Sequence, residues 1–202
     1  MIAAKPGGTV RERLLQAASE LFYDEGVHTV GIDRVLARAG VAKASLYSAF
    51  GSKDELVRAY LEQRDRGVRE RVEKRMAGLA SPRERILAVF DSLAERVAQG
   101  SYHGCPFVRA SAEGAPGSNA AREASAVHRA WRRDLLSRLA RELGASDPED
   151  TSRQLSLLYD GAATATIMDG DAEAPLAARR AAESVLDAVT AHPKKHTKPR
   201  RK

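Results

Sequence analysis

The sequence predicts an all-α protein: about nine helices, with a three-helix head followed by a larger helical body. Three observations predict it. Apolar residues recur at helical spacing along most of the chain. No stretch alternates with period two for long enough to make a strand. Capping residues, prolines and glycines fall between the apolar stripes, where helices start and stop.

Each helix has its own signature. Thr9 and Glu12 form a capping box. Leu14, Leu15, Ala18, Leu21 and Phe22 then make one stripe, which Gly26 closes. In the second helix Ile32, Val35, Leu36 and Ala39 fall at i, i+3, i+4 and i+7, and Gly40 follows as a stop that tolerates positive φ. Val41 and Ala42 leave room only for a tight turn. A short third helix is expected to carry Leu46, Tyr47 and Phe50 inward and to end at Gly51. Ser52 and Glu55 cap a fourth helix running to about Met76, with Leu56, Val57, Tyr60 and Leu61 inward. At 1.5 Å per residue it would be ~36 Å long.

Ser81, Pro82 and Glu84 open the fifth helix, which carries Ile86, Leu87, Phe90, Leu93 and Val97 to Gly100. Glycines and prolines between 104 and 117 leave space for one short helix, around 107–113. The seventh, about 119–143, spaces Val127, Trp131, Leu135, Leu139 and Leu143 four apart. Asp147 and Pro148 start the eighth, with Leu155, Leu158, Tyr159, Ala162 and Met168, which Asp169, Gly170 and Asp171 break. The ninth, about 175–190, carries Leu176, Val185, Leu186 and Val189.

The chain has 202 residues and one cysteine, Cys105, so no internal disulfide can form. No run of about 18 apolar residues is present, so no membrane span is expected, and no signal peptide is expected at the N-terminus. The cytoplasm is the expected compartment. Of the 33 basic residues, six lie in 192–202, and the remaining 27 balance the 27 acidic ones. The net charge of +6 therefore belongs to the tail, and DNA binding cannot be argued from it. The tail reads as disordered.

The local charge is more informative. Arg34, Arg38, Lys43 and Lys53 lie in a stretch with no acid between Arg34 and Lys53. Two short helices joined by a tight turn describe a helix-turn-helix, and a surface without carboxylates approaches phosphate without repulsion. Ala39-Gly40-Val41, Lys43-Ala44-Ser45-Leu46-Tyr47, Phe50 and Ser52-Lys53 stand at fixed spacing. Together they resemble the DNA-binding region of the tetracycline-repressor (TetR) family of bacterial transcriptional regulators, over roughly 10–61. The resemblance implies a helix-turn-helix domain at 1–54 and a ligand-binding and dimerisation body at 55–191, and the basic run marks off the tail at 192–202. It implies a homodimer on a double-stranded DNA operator and a small, mainly apolar effector.

The residues expected to meet DNA are Arg34, Lys43, Ala44, Ser45, Tyr47, Ser48 and Lys53. Lysine and serine near the start of a recognition helix can donate to base edges or phosphate. Tyr47 is expected to pack its ring while its hydroxyl meets phosphate. In the family, the lysine matching Lys53 contacts phosphate where a helix N-terminus adds its own positive end. The chain departs from the family at Gly31 and Asp33, where a hydroxyl and a basic or polar residue are common. Arg34 is expected to offset Asp33.

Phe90, Tyr102, Phe107, Trp131, Tyr159 and Met168 are candidate linings of an effector cavity, with plain core packing as the alternative for each. Leu155, Leu158, Ala162, Ala181, Leu186 and Val189 are candidates for a dimer interface between the eighth and ninth helices of two subunits. His103, Cys105 and His128 match no metal-ligand spacing, so no metal or other cofactor is expected. No Gly-rich phosphate loop, nucleophile elbow or paired-carboxylate motif favours an enzyme. The alternatives are an architectural or weakly specific DNA-binding protein using the tail and, more remotely, an all-helical enzyme.

Overall fold

The computed structural model describes residues 8–112 and 119–191. Among them are nine helices and no strand: α1 Val10–Glu25, α2 Ile32–Ala39, α3 Lys43–Phe50, α4 Lys53–Met76, α5 Pro82–Ala98, α6 Pro106–Ala112, α7 Ala120–Glu142, α8 Pro148–Met168 and α9 Ala174–Ala191. The all-α expectation holds, and the bounds agree with the sequence signals to within a residue or two. The tail at 192–202 lies outside the described residues.

The caps explain that agreement. The Thr9 N–H donates to Glu12 Oε2 at 2.8 Å, and the Glu12 N–H donates to Thr9 Oγ1 at 3.2 Å, so the box at the head of α1 is closed on both sides. Ser52 accepts from the Glu55 N–H at 3.1 Å, while the Glu55 carboxylate faces Arg58. Asp147 accepts from the Asp150 N–H at 3.0 Å at the start of α8. Gly40 takes φ 64°, the left-handed region expected of it.

The chain packs as two compact units. The first comprises residues up to Glu70 together with His103–Arg129, so it extends past position 54 and takes in α6 and the start of α7. Its core gathers Leu14, Ala18, Phe22, Val30, Val35, Leu46, Leu56, Tyr60 and Leu61 with Phe107, Ala110 and Ala121. Phe22 meets Tyr60 edge-on at 5.6 Å. The Arg64 guanidinium lies 4.1 Å from the Tyr23 ring and 5.4 Å from that of Tyr60, and it donates to the Ser19 carbonyl at 2.9 Å. Burial pushes the Tyr60 phenol up to about 12, so it stays neutral beside that cation. His128, 4% exposed, stacks on Phe107 with ring centroids 3.8 Å apart and sets Nδ1 2.7 Å from Asp65 Oδ1.

The second unit comprises Arg71–Tyr102 and Ala130 onward. In it α9 packs against both α8 and α5. Leu155, Ala162, Ala178, Ala182 and Leu186 are buried along α8 and α9, with Ile86 and Phe90 from α5. Arg179 on α9 donates to Asp91 on α5 at 2.7 Å. Arg132 is buried, donates to Asp160 at 2.5 Å and holds its guanidinium 4.4 Å from the Tyr159 ring.

Four apolar side chains depart from their expected places. Tyr47 is 48% exposed, Val127 59%, Met168 78% and Leu176 37%. On α3 the inward pair is Leu46 and Phe50, one turn apart, and Tyr47 stands ~100° round the helix from Leu46. The expected inward tyrosine is therefore corrected to an outward one.

Candidate nucleic-acid interface

The turn between α2 and α3 is set by backbone bonds. The Val41 N–H donates to the Leu36 carbonyl at 3.2 Å and the Gly40 N–H to the Ala37 carbonyl at 3.4 Å. This is the paired closure that a left-handed glycine permits. It ends α2 abruptly and starts α3 at Lys43, with no side chain capping its first turn. With Leu46 and Phe50 buried, Lys43, Ala44, Tyr47 and Ser48 fall at i, i+1, i+4 and i+5 and form one exposed strip. Ser45 lies half-buried at its edge.

Lys53 begins α4, half-buried. Burial pushes its ammonium below the ordinary lysine value, and the neighbouring Asp54 opposes that shift. Neither Lys43 nor Lys53 has a carboxylate partner among the described residues. The arginines of α2 differ. Arg34 is bidentate to Glu25, at 2.6 and 2.8 Å, and Arg38 donates twice to Glu20, at 3.0 and 2.6 Å. Glu20 and Glu25 both lie on α1. The hydrogen bond from Arg34 holds the Glu25 carboxyl below its usual range, and the same bond raises Arg34. The stretch without acids in sequence is thus partly neutralised in space. Asp33 remains exposed at the start of α2, and Gly31 provides no side-chain cap there.

Five of the six cavity candidates, Phe90, Tyr102, Trp131, Tyr159 and Met168, belong to the second unit. Phe107 belongs to the first unit, where it stacks on His128. Phe90 and Tyr159 meet edge-on at 6.0 Å in the second unit, where Trp131 and Tyr102 are half-buried. Met168 is exposed at the end of α8. An open cleft of about 710 Å³ does occur in the second unit, lined by Glu73, Met76, Ala77, Gly78, Leu79, Arg85, Leu135, Arg138, Leu139 and Glu142. None of the six candidates lines it. Its signal in sequence is weak, because an apolar floor of leucines reads as ordinary core.

The interface candidates divide. Leu155, Ala162 and Leu186 are buried within the chain itself, whereas Leu158, Ala181 and Val189 are half-buried. The outward face of α8 is made by Leu157 at 65% exposure, Gly161, Thr164 and Met168, none of them among the interface candidates. Among the described residues no cluster of three or more His, Cys, Asp or Glu could hold a metal, and no helix is long and apolar enough to cross a membrane.

Comparison with known proteins bears on the same segment. Residues 14–60 match the family described as "Bacterial regulatory proteins, tetR family". The transcriptional activator FasR of Mycolicibacterium smegmatis is 38% identical over 82 residues, which are 41% of this chain and 37% of FasR. The alignment therefore spans well under half of that relative. A likeness over nearly the full length comes from the crystal structure of SCO4454, a TetR-family transcriptional regulator from Streptomyces coelicolor. It is 36% identical with a TM-score of 0.82, covering 90% of this chain and 96% of that one. The reduced form of Escherichia coli NemR is 27% identical with a TM-score of 0.77, covering 87% and 95%.

Proposed function

From a chain that belongs to the TetR family of DNA-binding transcriptional regulators, and so is a regulator rather than an enzyme, we propose a ligand-responsive repressor that binds a palindromic operator as a homodimer. The observation that carries the DNA-binding part is the exposed strip Lys43, Ala44, Tyr47 and Ser48 on a helix whose other face is locked by Leu46 and Phe50. In a helix-turn-helix that strip enters the major groove, with its first residues nearest the bases. Ala44 offers apolar contact to a thymine methyl, and the outward Tyr47 offers both ring and hydroxyl. Half-buried Ser45 serves the edge of the strip. Arg34, held by Glu25, is a conditional contact. Repression is favoured by the likeness to NemR, named a transcriptional repressor, which extends through the body. FasR, named an activator, matches over a shorter segment.

The homodimer would use the outward face of α8, with Leu158, Ala181 and Val189 at its margin. Gly161 supports this placement. A glycine inside a helix costs stability, and beyond its chain neighbours and its own helix backbone no atom of the described residues lies within 4 Å of where its Cβ would be. Nothing in the chain itself requires the small residue there, and close approach by a second helix would.

The test is selection of duplexes from a random-sequence library, followed by titration of the selected and a scrambled duplex. Lys53→Ala should weaken both alike and flatten the salt dependence by about one phosphate contact. Lys43→Ala should change the preferred sequence. Equal affinity for selected and scrambled DNA would refute the operator and favour the weakly specific alternative.

The effector would occupy the cleft of the second unit, where Met76, Leu79, Leu135 and Leu139 supply apolar surface. Its volume falls within the usual range for small ligands. Glu73 and Met76 stand at the end of α4, the helix that begins with Lys53. A ligand that prefers one placement of α4 would thereby bias DNA binding. Trp131 precedes Leu135 by one turn of α7 and is the sole tryptophan. An effector should change its emission saturably and release the operator over the same concentration range. A ligand that shifts the emission while operator affinity stays constant would show that the cleft is uncoupled.

A further inference from the structure

The cations of the head fall into two groups. Among the described residues Lys43 and Lys53 form no ion pair with a carboxylate, whereas Arg34 and Arg38 are each gripped by a glutamate from α1. Arg34 and Arg38 lie one turn apart on the exposed side of α2. The first helix of a helix-turn-helix crosses the DNA backbone, so guanidinium groups there have phosphate as their natural partner. These four side chains are between 37% and 52% exposed. Ion pairs so exposed do little for stability. Their effect on binding is direct. A guanidinium already bound to a carboxylate has donors committed and no net charge to give, so recruiting it for phosphate means breaking charge-assisted hydrogen bonds. Non-specific affinity grows with the number of phosphates neutralised, because each one releases counterions.

We propose that Glu20 and Glu25 are specificity-determining residues, which withhold Arg38 and Arg34 from the phosphates of random DNA. An operator complex is held by base contacts from α3 as well and needs these arginines less. Random DNA has only the phosphate contacts, so the two glutamates weaken it more. The inference rests on the operator-binding reading and adds to it a device against the wrong DNA.

The experiment uses the full chain with Glu20→Gln and Glu25→Gln together, and with Glu25→Gln alone. Each is titrated with a scrambled duplex and with the duplex that the wild-type protein selects from a random library. In the double variant, affinity for the scrambled duplex should rise about tenfold and the slope of log affinity against log salt should steepen by about two. Affinity for the selected duplex should rise by less than about threefold, so selectivity falls. Glu25→Gln alone should steepen the slope by about one. Glu62→Gln is the control, since it removes one charge from an exposed site on α4 that holds no arginine. Adding Arg34→Gln and Arg38→Gln to the double variant should return the scrambled-duplex affinity to the wild-type value. The proposal is overturned if the slope does not change, if Glu62→Gln acts as strongly as Glu25→Gln, or if the quadruple variant keeps the raised affinity. If the wild-type protein selects no duplex, the operator reading fails, and the scrambled-duplex slopes still decide whether the glutamates hold the arginines back.

Discussion

Substituting Leu157 by arginine should convert the protein to a monomer and lower operator affinity at least ~100-fold, because joining two binding units raises affinity by 10²–10⁴ when both sites engage. Leu157 is 65% exposed on α8 and lies four, seven and eleven residues before Gly161, Thr164 and Met168. That spacing puts all four on one side of the helix. A two-fold interface uses the same patch from both subunits, so one substitution brings two unpaired charges into it. The helical content by circular dichroism should not change, since Leu157 does not serve the core of its own chain. Leu186→Arg is a poor substitute for this test. Leu186 is 0% exposed, so a charge there attacks the fold itself. A Leu157→Arg protein that remains dimeric by light scattering, or a monomer that keeps full operator affinity, would rule out this face.

Leu46→Ala should destabilise the first unit by about 2–5 kcal/mol, the usual cost of removing a fully buried leucine from a packed core. Leu46 is 0% exposed and is one of only two buried anchors on the eight residues of α3. So short a helix has little intrinsic stability, and its position depends on those anchors. Operator binding should therefore be lost at temperatures where most of the chain is still helical. Denaturant unfolding, followed beside operator binding, checks this. A variant with unchanged unfolding midpoint and normal binding would show that Leu46 does not fix the recognition helix.

The helices were legible because their ends are written in local chemistry. Thr9 with Glu12, Ser81 with Pro82, and Gly40 act within a few residues of themselves, so spacing suffices to read them. Tyr47 was misplaced because Leu46 and Tyr47 are adjacent and both suit a core, and only packing decides which one turns inward. Aromatic identity likewise pointed to Phe90, Phe107, Trp131 and Tyr159 without saying what each would meet. Phe107 meets His128, 21 positions along the chain and on a different helix. The Arg34–Glu25 and Arg38–Glu20 pairs join α2 to α1, and no rule of helical periodicity links residues on separate helices. The outward face of α8 escaped notice for another reason. Leu157 and Leu158 are equally apolar, and only tertiary packing decides which of them the chain buries more.

The first unit has a core that is discontinuous along the chain. Phe107, Ala110 and Ala121 complete a cluster that begins at Leu14 and otherwise ends near Leu61. On the ribosome, residues 1–70 emerge first and have no α6 or α7 to cover them. At about 5–20 residues per second, the missing pieces follow only after several seconds. During that interval the nascent head carries uncovered apolar surface, and the intervening α5 has also emerged. An excised 1–70 fragment would stay permanently in that condition. It would carry the whole recognition helix and still lack part of the packing that holds it in place.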